Sequence, residues 1–211
     1  VTAKPLFIVL EGIDGSGTTT QSERLLAYLR KRGRQAHATR EPSTGPVGRL
    51  IREVLLGGHQ ISVGEGMHGD TMALLFAADR RDHLQREIEP QLKGDVDVIS
   101  DRYVWSSYAY QAEETALLWV RELARNLRQP DLTILIDLPI EEAARRRSLA
   151  GRPVERYDAD GYLAKVAAHY RLLAHKDPRA IVIDGRPSMD DVTLLIKVAI
   201  DALLDSPGNQ P

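Results

Sequence analysis

The chain of 211 residues predicts an α/β fold in which a parallel sheet is flanked by helices on both faces. Three observations carry this expectation. Short apolar runs alternate with longer stretches whose apolar residues recur at helical spacing. The first run, Leu6 to Leu10, is apolar throughout, as a strand buried on both faces of a parallel sheet requires. It opens at once into a glycine-rich turn, Gly12 to Gly17, placed ahead of a helix.

The elements follow in order. The helix from about Gly17 to Arg32 has Leu25, Leu26 and Leu29 on one stripe, and Gly33 ends it. A weaker strand, Gln35 to Thr39, runs into the breaker-rich loop Arg40 to Pro46. Val47 to Leu56 reads as a helix stopped by Gly57 and Gly58, and Gly64 to Gly69 as irregular chain. A long helix is expected from about Asp70 to Leu92, bent at Pro90. Val96 to Ser100 is a firm strand ending at Asp101-Arg102-Tyr103, followed by a polar-aromatic stretch, Trp105 to Gln111, and a helix from Thr115 to Leu127. Leu132 to Leu138 is a third firm strand. Ile140 to Arg147 is a helix that opens into an arginine-rich connector, Ser148 to Asp158. Tyr162, Leu163, Val166, Tyr170 and Leu173 keep the helical period, Ala180 to Ile183 is a short strand, and Val192 to Leu203 stripes a final helix before a frayed tail.

No Pro/Gly/Ser-rich linker divides the chain, so residues 1–211 are expected to form one domain, with a lid at about 148–158. A net charge of -2 argues against a nucleic-acid binder. The absence of cysteine rules out disulfides and thiolate metal sites. Val1 to Pro5 leads directly into the first strand, which leaves no room for a signal peptide, and no apolar run approaches the ~20 residues of a membrane span. The expectation is a cytoplasmic protein with no membrane partner.

The glycine turn suits phosphate. Glycines let backbone N–H groups approach an anion, and the following helix adds its positive end. Gly12, Gly17 and Thr19 meet the pattern G-x-x-x-x-G-K-[ST], which makes the expected sheet P-loop NTPase-type. The lysine position, however, holds Thr18. Binding is expected without it, and catalysis is put in question, because that lysine reaches the outer phosphates.

Other candidates fall around this loop. The Thr19 hydroxyl and Asp101, which directly follows a strand, suit a magnesium ion, and Arg102 beside them suits phosphate. Asp14 lies inside the loop, where a carboxylate is repelled by phosphate unless a cation or a sugar hydroxyl takes its oxygens; it is a ligand-binding acid or a turn residue. Phe76 and Arg80 share a helix face and could stack on and read a base, although by pattern alone Phe76 is the better core candidate. Arg145, Arg146 and Arg147 splay around a helix and are not all expected to face one ligand. Arg152 and Arg156 are better placed to swing onto phosphate from a closing connector. The six histidines have no metal-binding spacing.

Val9 to Gly17, Arg40-Glu41-Pro42, Leu75 to Arg80, Asp101-Arg102-Tyr103 with Ser106 to Gln111, and Pro130 to Thr133 together resemble the bacterial thymidylate kinases, with Thr in place of the P-loop lysine. The resemblance implies a homodimeric P-loop kinase that moves the γ-phosphoryl group of ATP, with Mg²⁺, to dTMP. It implies that Gly12, Ile13, Asp14, Gly15, Ser16, Gly17, Thr18, Thr19 and Thr20 cradle the donor phosphates, with Thr19 and Asp101 on the metal side. It further implies that Phe76 stacks on thymine, Arg80 bonds its edge, Arg40 and Arg102 hold the dTMP phosphate, and Ser107, Tyr110 and Gln111 line the acceptor pocket. Arg102, Asp14, Arg152 and Arg156 would then carry the transfer. Two other outcomes stay open: a nucleotide binder that transfers nothing, and a kinase for another nucleoside monophosphate.

Overall fold

The computed structural model describes residues 4–57, 69–151, 157 and 159–205. Five parallel strands form one sheet: β1 (Phe7–Glu11), β2 (Ala36–Arg40), β3 (Asp97–Asp101), β4 (Leu132–Asp137) and β5 (Ala180–Asp184), in the order β2-β3-β1-β4-β5. The three central strands are buried almost throughout, in keeping with the mostly apolar β1 and β4, while β3 also buries Asp97, Ser100 and Asp101.

Helices cover both faces. On one, α1 (Thr18–Lys31) and α9 (Met189–Leu204) bury Leu25, Leu29, Val192 and Ile196 against Ile8, Leu10 and Ile134. On the other, α5 (Val104–Tyr110) and α8 (Asp160–Lys176) pack Val104, Ala109, Leu163, Val166 and Tyr170 against Phe7, Val9 and Leu135. A third cluster joins α2 (Pro46–Leu55) to α3 (Gly69–His83) through Ile51, Val54 and Met72. The remaining helices are α4 (Glu89–Lys93), α6 (Leu117–Leu123) and α7 (Ile140–Leu149). Among the described residues no helix is long and apolar enough to cross a membrane.

Two elements differ from the sequence expectation. The long helix over 70–92 is interrupted before Pro90, not at it: Leu84 to Ile88 form a π turn in which the Glu89 N–H reaches back to the Leu84 carbonyl. Pro90 has no N–H to offer the preceding turn, so a widened turn ahead of it takes up the mismatch. The aromatic stretch after β3 is helical as α5, whereas the helix expected over 115–127 shortens to Leu117–Leu123.

Register positions the site. Leu10 lies beside both Asp101 and Ile134, and Asp101 lies beside Arg40. The carboxyl ends of β2, β3 and β1 are therefore level, and the turns leaving them converge on one edge, where open parallel sheets bind ligands.

Candidate functional site

The loop after β1 has a shape only glycine permits at two points. Gly15 and Gly17 have φ of 93° and 98°, and a Cβ on Gly15 would come within 2.7 Å of the Ala143 carbonyl oxygen. Helix α1 starts immediately after, with Gly17 as its N-cap, no side-chain cap and no acid in its first turn. Its leading N–H groups are thus left to a ligand, and its positive end is not neutralised.

Thr19 Oγ1 donates to Asp101 Oδ2 at 2.5 Å. Asp101 Oδ1 and Ser16 Oγ are buried with no hydrogen-bond partner among the described residues. Among the described residues no cluster of three or more potential metal-ligating His, Cys, Asp or Glu side chains occurs. One hydroxyl and one carboxylate oxygen fit magnesium, which takes few protein ligands and completes its octahedron with phosphate oxygens and water.

Two cavities open around the loop. The larger, about 940 Å³, is lined by Gly15 to Gln21, by Arg145, Arg146 and Arg147 of α7, and by Arg186. The smaller, about 230 Å³, is lined by Phe76, Arg80, Ser106, Tyr110, Gln111 and Tyr157 among others. Asp14, Arg40 and Arg102 line both, so the cavities meet at these three side chains.

The shared edge is firmly held. Arg102 adopts a φ of 73°, a costly conformation for a side-chain-bearing residue, fixed by its N–H donating to the Leu10 carbonyl and by Ser100 Oγ donating to its own carbonyl at 2.7 Å. Its guanidinium donates to Asp14 Oδ1, Ser106 Oγ and Tyr170 Oη, each at 3.2 Å, and lies over the Tyr110 ring. Asp14 Oδ2 accepts from Tyr110 Oη at 3.2 Å. Behind Arg102 stands Glu11, fully buried at the end of β1. It accepts from the Tyr103 and Ser106 N–H groups and from the Ser106 and Tyr170 hydroxyls. Burial pushes its carboxyl up to about 7, against the pull of Arg102 and of these hydrogen bonds.

The acceptor-side wall is also cross-linked. Arg80 is 2 % exposed and donates through Nε to Glu41 Oε2 at 2.8 Å and through Nη2 to Ser107 Oγ at 3.0 Å. Gln111 Oε1 is buried with no partner among the described residues.

Most residues singled out in the sequence converge here. Phe76 is half-buried, packed against the Ile51, Val54 and Met72 cluster and also on the wall of the smaller cavity, so it serves both as core edge and as cavity wall. Ser107 stands behind Arg80 and is not among the lining residues; its neighbour Ser106 is. All three consecutive arginines of α7 line the larger cavity despite their splay, because the cavity runs along the helix and their side chains are long. Arg152 and Arg156 lie outside the described residues. Sequence reading missed Glu11 and Glu41. The signal for Glu11 was an acid closing a fully apolar strand; Glu41 sat unremarked beside Arg40.

The family model described as Thymidylate kinase matches residues 10–196. A probable thymidylate kinase of Thermococcus onnurineus is 39% identical over 192 residues, covering 89% of this chain and 93% of that protein. A probable thymidylate kinase of Pyrobaculum aerophilum is 40% identical over 196 residues, covering 90% and 96%. The thymidylate kinase of Thermomicrobium roseum is 39% identical over 204 residues, covering 93% and 91%. The likeness therefore extends to archaeal proteins and is not confined to bacterial ones. A phosphate loop opening into two cavities that share an acid and two arginines, together with these matches along most of its length, makes the chain a member of the thymidylate kinase family.

Proposed function

We propose that this protein transfers the γ-phosphoryl group of ATP to dTMP, giving ADP and dTDP, in the synthesis of deoxynucleotides. The observation that carries the reading is the meeting of the two cavities at Asp14, Arg40 and Arg102, directly beside the phosphate loop. ATP fits the larger cavity, with its phosphates on Gly12 to Thr20, and dTMP the smaller. A phosphate oxygen of dTMP forms a bond to the γ-phosphorus as the bond from that phosphorus to the β,γ-bridging oxygen breaks, and ADP keeps the electron pair. A nucleotide phosphate has a second pKa of about 6 and is already largely dianionic, so it needs positioning more than a general base. Arg40 and Arg102 supply that positioning and offset its charge.

Thr19 and Asp101 would hold the magnesium ion that travels with ATP, which when bound withdraws charge from the phosphate oxygens. In the smaller cavity Phe76 gives a stacking face. Arg80 offers donors to a pyrimidine carbonyl, and Gln111 Oε1 is a buried acceptor suited to a ring N–H such as that of thymine. Tyr110 closes the sugar side. Arg152 and Arg156 would act from the connector at about 148–158 as a lid of this single domain. We further infer a cytoplasmic homodimer. Exposed Leu74 on α3 and Leu117 and Leu118 on α6 support a self-association face, which sedimentation would test.

Thr18 favours a second reading, a nucleotide binder that transfers nothing. A coupled ADP-release assay with ATP-Mg²⁺ against dTMP, dUMP, dCMP, dGMP, AMP and thymidine separates the two. Turnover on dTMP well above the others is the expected result. Binding of ATP and dTMP without turnover would establish the second reading, and preference for another monophosphate would mean that Phe76, Arg80 and Gln111 read a different base.

A further inference from the structure

The geometry points to Arg147 as the cation that stands in for the missing loop lysine, delivered to the donor phosphates from α7. This rests on reading the larger cavity as the donor site.

The loop lacks its own cation because Thr18 occupies the lysine position, yet a triphosphate brings several negative charges into that space. Most other described cations near the loop are bonded to carboxylates. Arg24 is tied across to α9, donating to Asp190 and Thr193. Arg102 is held at the acceptor end by Asp14, Ser106 and Tyr170. Arg145 forms a two-point pair with Glu142, Arg146 bonds Glu142 and the Gly185 carbonyl, and Arg186 pairs with Asp184.

Arg147 reaches the loop backbone itself. It is 9% exposed, and its Nη1 donates to the Asp14 carbonyl at 2.8 Å, inside the loop itself. Its Cγ would lie 3.2 Å from a Cβ on Gly15, so its stem packs on the loop at the residue whose missing side chain makes room for it. Arg147 and Thr18 line the same cavity. A guanidinium there sits against the backbone that wraps the phosphates, and it remains charged at every working pH. The loop and α7 thus form one phosphate site from two distant segments, and glycine at position 15 is needed both for its φ and for the approach of α7.

The test is a double-mutant cycle on the full chain, combining Arg147→Gln with Thr18→Lys. Glutamine keeps the stem that packs on Gly15 but has no charge, so a role limited to that packing would survive it. Arg147→Gln is expected to lower kcat about 100-fold and to weaken ADP-Mg²⁺ binding about tenfold, with adenosine and dTMP binding unchanged and the melting temperature close to wild type. Arg147→Lys should keep most of the activity. Adding Thr18→Lys to Arg147→Gln should recover at least about tenfold, a larger gain than the same substitution gives in the wild-type background, because the two cations serve one place. Arg147→Gln within about threefold of wild type would overturn the inference, as would an equal effect of Thr18→Lys in both backgrounds. If the wild type turns over no acceptor, the kinase reading fails by itself. The same cycle is then read from ADP-Mg²⁺ affinity, where a lack of coupling still sinks the role of Arg147.

Discussion

The two walls of the cleft are built on different principles. On the acceptor side the charged groups are buried and tied to one another: Arg80 to Glu41, Arg102 to Asp14, and Glu11 to Ser106 and Tyr170. On the donor side the arginines of α7 and Arg186 sit in a cavity four times larger, and several are exposed in short-range pairs with a neighbour on their own segment. A fixed wall holds a small ligand in one pose before any reaction, which removes reorganisation from the barrier. A loose wall of long side chains accepts a larger, highly charged ligand and can be completed by a closing connector. On the proposed assignment of the cavities, discrimination between acceptors would be built into the folded chain, while the exposed arginines of the donor wall would adjust to the phosphates.

The contrast can be broken most severely at the shared edge. Arg102→Ala should lower kcat/KM for dTMP about 1,000-fold in steady-state assays, since it removes the cation proposed to hold the dTMP phosphate and the ion-pair partner of Asp14. A loss below about tenfold would place the phosphate elsewhere.

Next in size is Glu41→Ala, which leaves the buried Arg80 without its ion-pair partner. The expected cost is about 3 kcal/mol of stability, read from the denaturant midpoint. A change under about 0.5 kcal/mol would mean that the acceptor wall is not held by this pair.

A subtler probe is the pH dependence of Glu11. Its carboxyl rises from an ordinary 4.5 to about 7 through burial, so between those values the folded state holds a proton that the unfolded state has released. The stability this group contributes is present at low pH and is lost as pH rises through 7. Comparing unfolding of the wild type and Glu11→Gln from pH 5 to pH 8, the difference should move in favour of the neutral variant as pH increases. A flat difference would show that Glu11 is already a carboxylate at pH 5.

The smallest effect is expected on the loose wall. Arg145 is largely exposed and paired only with Glu142. Arg145→Ala should change KM for ATP by no more than about threefold, in line with the modest worth of exposed ion pairs. A much larger effect would make the donor wall as fixed as the acceptor wall.

The same contrast governs how much could be read from the sequence. The phosphate loop is a local feature: nine consecutive residues, Gly12 to Thr20, specify turn, cradle and helix start, and their spacing alone identified them. Strands β1 and β4 were equally legible, because burial on both faces demands largely apolar runs, and β3 was marked by Val96, Val98 and Ile99. Asp101 and Arg102 could be found because a charged pair directly after such a strand is conspicuous. Glu11, Glu41 and Arg147 were not identified, because each acts through residues far along the chain. Glu11 meets Tyr170, and Arg147 meets Asp14, only after the sheet has ordered its strands. Phe76 shows the limit from the other direction: helical periodicity marks an inward-facing side chain but does not distinguish a core from a cavity wall.

By itself, then, the sequence determined the parallel α/β sheet, the phosphate cradle and the absence of the loop lysine, since each is written in contiguous residues whose local physics has one outcome. The tertiary structure alone decided which cations face the cradle, which carboxylates hold the arginines still, and that two cavities share one edge. Those relations depend on strand order and register, and no local stretch of chain encodes the distance between residues more than a hundred positions apart.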